Sequence, residues 1–214
     1  MVAESFVDAP EVYLDGVWSG GRLRWSSLSR NHIAPLSAVA GGVLAAHVLD
    51  PARRPALFAQ ARALAAEALA ALGAPDCVFH LEMFTTDGGP TFGECAIRLP
   101  GALSPRVNQL TYGVDLFDAE ISLALGEEPS LPADATAPER FHGYVLLRRA
   151  PGGRLTQRDF ERAFTFDEIV YDSAPDAPEG PYGKVGHAIV SDADEGVLEK
   201  TVEDVARFNA SGGF

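Results

Sequence analysis

Glu82 and Glu94 stand twelve residues apart in the stretch Val78-Phe-His-Leu-Glu-Met-Phe-Thr-Thr-Asp-Gly-Gly-Pro-Thr-Phe-Gly-Glu-Cys-Ala-Ile-Arg98. The stretch reads as two short strands joined by a turn at Asp87-Gly88-Gly89. A three- or five-residue loop centred on Gly88 places residues equidistant from it opposite each other. Glu82 then faces Glu94, and His80 faces Ala96. Like charges set opposite in a sheet repel, so such a pair either stays in water or serves a purpose. The purpose that fits two carboxylates is a hard cation such as magnesium, which takes oxygen ligands. Spacing alone is equally compatible with a solvated pair that does nothing. His80 and Arg98 on the same strand faces favour a place for phosphate and metal.

The elements around this hairpin can be read from pattern. Phe79, Leu81, Met83, Thr85, Thr91, Cys95, Ile97 and Leu99 form its largely apolar side, so the hairpin is expected to be buried on one face and polar on the other. Residues 2–30 read as strands (Ser5–Val7, Glu11–Leu14, Val17–Trp18, Leu23–Leu28) with tight turns at Asp15-Gly16 and Gly20-Gly21. Residues 31–52 read as irregular. Pro55 opens a helix near 54–72, with Leu57, Ala61, Leu64, Ala68 and Leu72 at helical spacing and Gly73 ending it. A second helix is expected over 106–126. A Pro/Ala/Asp-rich linker at 127–139 is the one plausible boundary. Strands near 142–149, 166–171 and 185–190 and an amphipathic helix near 194–208 follow. The expected fold is α+β: an antiparallel sheet with helices packed on one face over residues 1–126, then a small C-terminal α/β lobe over 140–214.

The chain has 214 residues, 47% of them hydrophobic, and a net charge of −13. That is enough apolar material for a sizeable core. The charge argues against nucleic acid and anionic membrane surfaces as partners. No basic-then-apolar leader opens the sequence and no apolar run reaches membrane-spanning length, so a cytoplasmic protein is expected. Cys77 and Cys95 are expected roughly 13 Å apart by strand arithmetic, too far for a disulfide, and read as buried thiols. His32, His47, His142 and His187 read as surface or structurally satisfied histidines. No P-loop lysine, GxSxG or GxGxxG is present.

Near the start, Glu4-Ser-Phe-Val7-Asp-Ala-Pro-Glu11 alone reads as surface glutamates at a strand edge. Taken with the hairpin phrases FHLE and GECAIR, the helix ending in Leu72-Gly73, and Tyr112-Gly113-Val114-Asp115-Leu116, it resembles the C-terminal half of an ATP-grasp ligase, in the carboxylate–amine ligase branch. The resemblance covers about residues 3–126 well and 140–210 loosely. It implies that Glu4 and Val7 hold adenine, Glu4 at the exocyclic amine and Val7 through its backbone, and that Glu11 binds the ribose hydroxyls. Glu82 and Glu94 would ligate magnesium bridging the ATP phosphates. Arg98 would lie near the phosphate or the acyl phosphate, His80 near the transferring phosphate, and Arg30 within reach of the phosphates.

The implied activity is ATP- and magnesium-dependent ligation of a small-molecule carboxylate to an amine. Two departures bear on it. Many relatives carry Asn where this chain has Ala96, which bears on a second metal. The family's N-terminal substrate domain and its phosphate-covering lobe have no counterpart, so a partner chain, a longer product or a homodimer is expected to complete the cleft. The other function class is a non-catalytic ATP-grasp remnant that serves as a nucleotide-binding or interaction module.

Overall fold

A computed structural model describes residues 5–132, 138–174 and 176–213. Glu4 lies outside them. The elements in order are β1 (Glu11–Ser19), β2 (Arg22–Asn31), α1 (Pro35–Val39), β3 (Ala45–Val48), α2 (Pro55–Ala71), β4 (Cys77–Thr86), β5 (Gly89–Ala96), α3 (Ser104–Tyr112), α4 (Leu116–Ala124), β6 (Phe141–Arg148), α5 (Gln157–Ala163), β7 (Glu168–Tyr171), β8 (Lys184–Asp192) and α6 (Glu195–Ser211). The eight strands form one sheet in the order β5-β4-β1-β2-β3-β6-β8-β7. Every paired neighbour is antiparallel. The architecture is α+β, with an antiparallel sheet and flanking helices.

Alternation along β1 sorts the two faces. Val12, Leu14 and Trp18 pack with Leu28, Leu81 and Met83 against Ala61, Ala65 and Leu69 of α2. Each fully buried Leu of this kind contributes about 1.5–3 kcal/mol. Helix α6 lies on the same side farther along, where Leu198, Val202, Val205 and Phe208 join the core of β6 and β8. On the opposite face α4 seats Leu116 and Ala119 on Val17, Trp25 and Val78, and α3 lies beside it. The segments before and after residues 127–139 thus share one sheet, joined where β3 pairs with β6.

Several local expectations change. Residues 5–7 are not a strand. Asp15-Gly16 is not a turn: β1 runs through it, and the reversal comes at Gly20-Gly21. Gly16 is there for clearance, since a Cβ would lie 2.6 Å from the Phe79 ring and 2.7 Å from the Trp25 carbonyl oxygen. The segment 31–52 is not irregular throughout, because it holds α1 and the short, fully buried β3. The single helix expected over 106–126 is two. Gly113 takes φ 71° and ends α3, and the Asp115 carboxylate then caps α4 by accepting from the Phe117 and Asp118 amides.

The hairpin turn is shorter than expected, with only Asp87 and Gly88 between paired Thr86 and Gly89. A bulge at Gly93 makes up the difference, so Glu82 still faces Glu94 and His80 still faces Ala96. Between bulge and turn the faces swap. Phe92 pairs with Met83 and Thr91 with Phe84, so Thr91 moves to the polar side.

Candidate functional site

The face away from α2 and α6 carries the chemistry. Strand pairing puts Tyr13 beside Glu82 and Asp15 beside His80, with Glu94 on the far side of Glu82. Asp15 is fully buried. Its Oδ1 lies 2.6 Å from His80 Nδ1, and its Oδ2 accepts from Asn108 Nδ2 at 3.1 Å. Ser27 Oγ in turn donates to Asn108 Oδ1 at 2.6 Å. The other imidazole nitrogen, His80 Nε2, lies 3.3 Å from Glu82 Oε1. A buried acid, an imidazole and a half-exposed acid therefore form a line that ends at the pocket.

Electrostatics follow from this geometry. Burial alone would lower the His80 pKa, but the hydrogen bonds and charges of Asp15 and Glu82 outweigh it and raise the pKa to about 9. His80 is an imidazolium at neutral pH. The hydrogen bond from His80 lowers the Glu82 pKa against the effect of burial, with help from the charges of His80 and Arg98. Glu11 moves the other way. Burial raises it, with a push from the Glu82 charge, although Asn31 Nδ2 donates to its Oε1 at 2.6 Å.

Two adjoining hollows open on this face. The first, about 370 Å³, is lined by His80, Glu82 and Arg98 together with Tyr13, Tyr144 and Tyr182 among others. The second, about 340 Å³, is lined by Val7, Glu11 and Arg30. Asn31 belongs to both. The structure thus gathers His80, Glu82 and Arg98 at one hollow and Val7 and Glu11 at the next. Arg30 shares the second hollow with Val7 and Glu11, with its guanidinium tied to another partner. That group donates to Glu199 of α6 at 2.8 Å, on the other side of the sheet.

Among the described residues, no group of three or more His, Cys, Asp or Glu side chains is arranged to hold a metal ion. Two opposed carboxylates still suit magnesium. That ion keeps several waters and is commonly held by one or two carboxylates plus substrate phosphates rather than by a full protein cage.

Sequence reasoning missed Asp15, Asn108, Ser27 and Asn31. Asp15 was legible in part, since Glu11, Tyr13 and Asp15 alternate onto one face once β1 is read as continuous. Nothing local marks Asn108 or Tyr144. Of the histidines read as structural, His142 Nδ1 lies 3.0 Å from Thr111 Oγ1. His32 and His47 pair with each other through Nε2 and Nδ1 at 2.9 Å. Both cysteines are free thiols. No described helix is long and apolar enough to cross a membrane.

No family model matches the chain, and no curated protein does. Solved structures do. Phosphoribosylglycinamide synthetase from Anaerococcus prevotii superposes with a TM-score of 0.71 at 14% identity, covering 95% of this chain and 53% of that one. N5-carboxyaminoimidazole ribonucleotide synthetase from Thermus thermophilus gives 0.66 at 24% identity, covering 97% and 53%. Carboxyaminoimidazole ribonucleotide synthase from Aspergillus clavatus, solved with ATP, gives 0.68 at 18% identity, covering 95% and 52%. The chain spans about half the length of these solved relatives. They are ATP-grasp ligases, and the chain has the fold of one half of such an enzyme, in keeping with the C-terminal half that its motifs resemble.

Proposed function

We propose that the chain forms the nucleotide- and metal-binding half of an ATP-grasp ligase that joins a small-molecule carboxylate to an amine through an acyl phosphate. The observation that carries this reading is the Glu82–Glu94 pair set opposite across the hairpin, with the His80 imidazolium braced beside it by buried Asp15, on a fold shared with ATP-grasp ligases.

In this reading the hollow at Val7 and Glu11 takes the nucleoside, Glu11 facing the ribose hydroxyls and Glu4 completing the adenine contact. Glu82 and Glu94 are the residues that would hold magnesium, which would supply charge neutralisation at the ATP phosphates. His80 and Arg98 add fixed positive charge where the γ-phosphate moves. A substrate carboxylate oxygen attacks the γ-phosphorus, and the bond to the β-phosphate oxygen breaks to release ADP. The amine nitrogen then attacks the acyl carbon, phosphate leaves with the C–O bonding electrons, and the amine gives up a proton. The rest of the cleft comes from a partner chain, a longer product or a second copy, in the cytoplasm.

The test is calorimetry with ATP and magnesium on the wild type, Glu82→Gln and Glu94→Gln. Magnesium-dependent nucleotide binding that weakens at least about tenfold in either variant is expected, given the strength of charge-assisted contacts. Wild-type binding indifferent to magnesium would remove the ligase reading and leave a non-catalytic module of the same fold.

A further inference from the structure

Helix α4 carries an apolar face that the fold does not use. Its inner side is taken up by the sheet: Leu116 and Ala119 are buried on Val17, Trp25 and Val78, and Leu123 packs against the same cluster. Phe117, Ile121 and Leu125 stay 56%, 60% and 68% exposed. They recur at every fourth position. At roughly 100° per residue, Ala124, Phe117, Ile121 and Leu125 succeed one another round one side of the helix, and Ala124 is exposed as well. Single exposed apolar side chains are ordinary, whereas a contiguous row marks an interaction surface. Among the described residues, no other element exposes three large apolar side chains in this way.

The border of the row is acidic on both flanks. Glu120 bounds it beside Ala124, with one oxygen accepting from the Val78 amide at 3.0 Å, and Asp118 bounds it beside Leu125. Asp115 precedes the row as the helix cap, and Glu127 and Glu128 follow it. The stretch 115–128 contains no Lys, Arg or His. Arg24 reaches Glu128 at 3.0 Å, but among the described residues Asp118 and Glu127 have no ion-pair partner.

A second copy of the chain fits this border poorly. In either two-fold arrangement of two α4 helices, the acids beside one row meet the acids beside the other, and each chain carries −13. A basic partner turns the same border into attraction. Side chains spaced by four form the ridge that packs into the groove of another helix, and the small Ala124 leaves room for its approach. No residue of α4 lines either hollow, so the surface is separate from the proposed chemistry. We propose that this face of α4 docks an amphipathic helix of a partner protein whose apolar row is edged with lysine and arginine.

The experiment measures the fluorescence anisotropy of three labelled helical peptides against the whole chain. The first has a leucine row edged with lysine, the second scrambles that sequence at equal charge, and the third replaces each lysine by glutamate. The first binds saturably, the scrambled peptide at least about tenfold more weakly because it cannot bury a continuous row, and the acidic peptide not at all. Phe117→Ser with Ile121→Ser, at exposed positions where circular dichroism checks that the fold is kept, weakens the first peptide at least about a hundredfold, since two large apolar side chains are no longer buried. Asp118→Lys with Glu127→Lys weakens it less and removes much of its salt dependence. No saturable binding of the first peptide, a scrambled or acidic peptide that matches it, or a serine double variant that binds it as the wild type does overturns the proposal. So does sedimentation that finds a wild-type dimer and a monomeric serine double variant, which would assign the face to a second copy.

Discussion

The sheet carries a histidine cluster on each face, and the two respond to burial in opposite ways. On the proposed catalytic face, His80 lies between Asp15 at 2.6 Å and Glu82 at 3.3 Å, and its pKa rises to about 9. On the α6 face, His32 lies 2.9 Å from His47 and 3.6 Å from the half-exposed Glu203 carboxylate. Burial, with smaller contributions from the charges of His47 and Arg30, drives the His32 pKa down to about 3. Desolvation opposes the charged form in both places. What differs is whether a carboxylate sits at hydrogen-bonding distance or another imidazole does. The other acid at this distance from the pair, buried Glu195, is already held by Arg54 and by the Asp50 amide. His47 Nε2 stays 3.6 Å from it, a buried nitrogen without a partner.

Asp15→Asn should have the largest effect, because it would make the first cluster resemble the second. Removing one member of a buried ion pair costs about 3–5 kcal/mol, read as a lowered urea midpoint. The His80 titration followed by NMR should fall from about 9 to below the ordinary histidine value of about 6.5. A His80 pKa that stays high in this variant would show that Glu82 alone suffices.

The pH profiles of stability should separate the two clusters, in metal-free buffer. His80 is raised in the folded state, so its contribution is complete below about 6.5 and is lost as pH climbs through about 9. His32 is lowered, so the unfolded chain binds its proton first. Stability from that cluster is complete above about 6.5 and is lost as pH falls toward about 3. His80→Gln should therefore flatten the alkaline limb, and His32→Gln the acid limb, each by on the order of 2 kcal/mol between the ends of its window. Denaturation midpoints across pH 3–10 measure both. Equal effects of both variants on one limb would break the comparison.

The smallest change is expected at the exposed edge. Glu203→Gln should alter stability by less than about 0.5 kcal/mol, because its carboxylate is half in water. A larger loss would mean that His32 carries a proton which burial should deny it.

The legible parts of this protein are local. Pro55, the helical spacing of Leu57, Ala61, Leu64, Ala68 and Leu72, and Gly73 mark α2 without reference to anything distant, although the stripe that the fold buries is Ala61, Ala65 and Leu69 and Leu72 is exposed. Turn glycines and alternation likewise place Glu82 opposite Glu94, even though the loop is a residue shorter than expected and a bulge restores the register. Glycine eases that bulge, where a Cβ at Gly93 would come to 3.0 Å from the Glu82 carbonyl oxygen, a tight contact. The strand β3 was not legible, because four buried residues flanked by proline and glycine carry too little pattern. Asp15-Gly16 misled for a related reason: a pair that favours turns in isolation is held extended by the strands on both sides of it.

The amino-acid sequence by itself determined the hairpin, its two unlike faces and the pairing of its glutamates, since side-chain alternation and turn chemistry act over a few residues. The tertiary structure decided what those glutamates sit beside. Asp15 reaches His80 across 65 positions, and Tyr144 and Tyr182 bring the segment after residue 140 to the hollow. The charge on His80 is a balance between burial and distant carboxylates, and that balance exists only once the chain has folded.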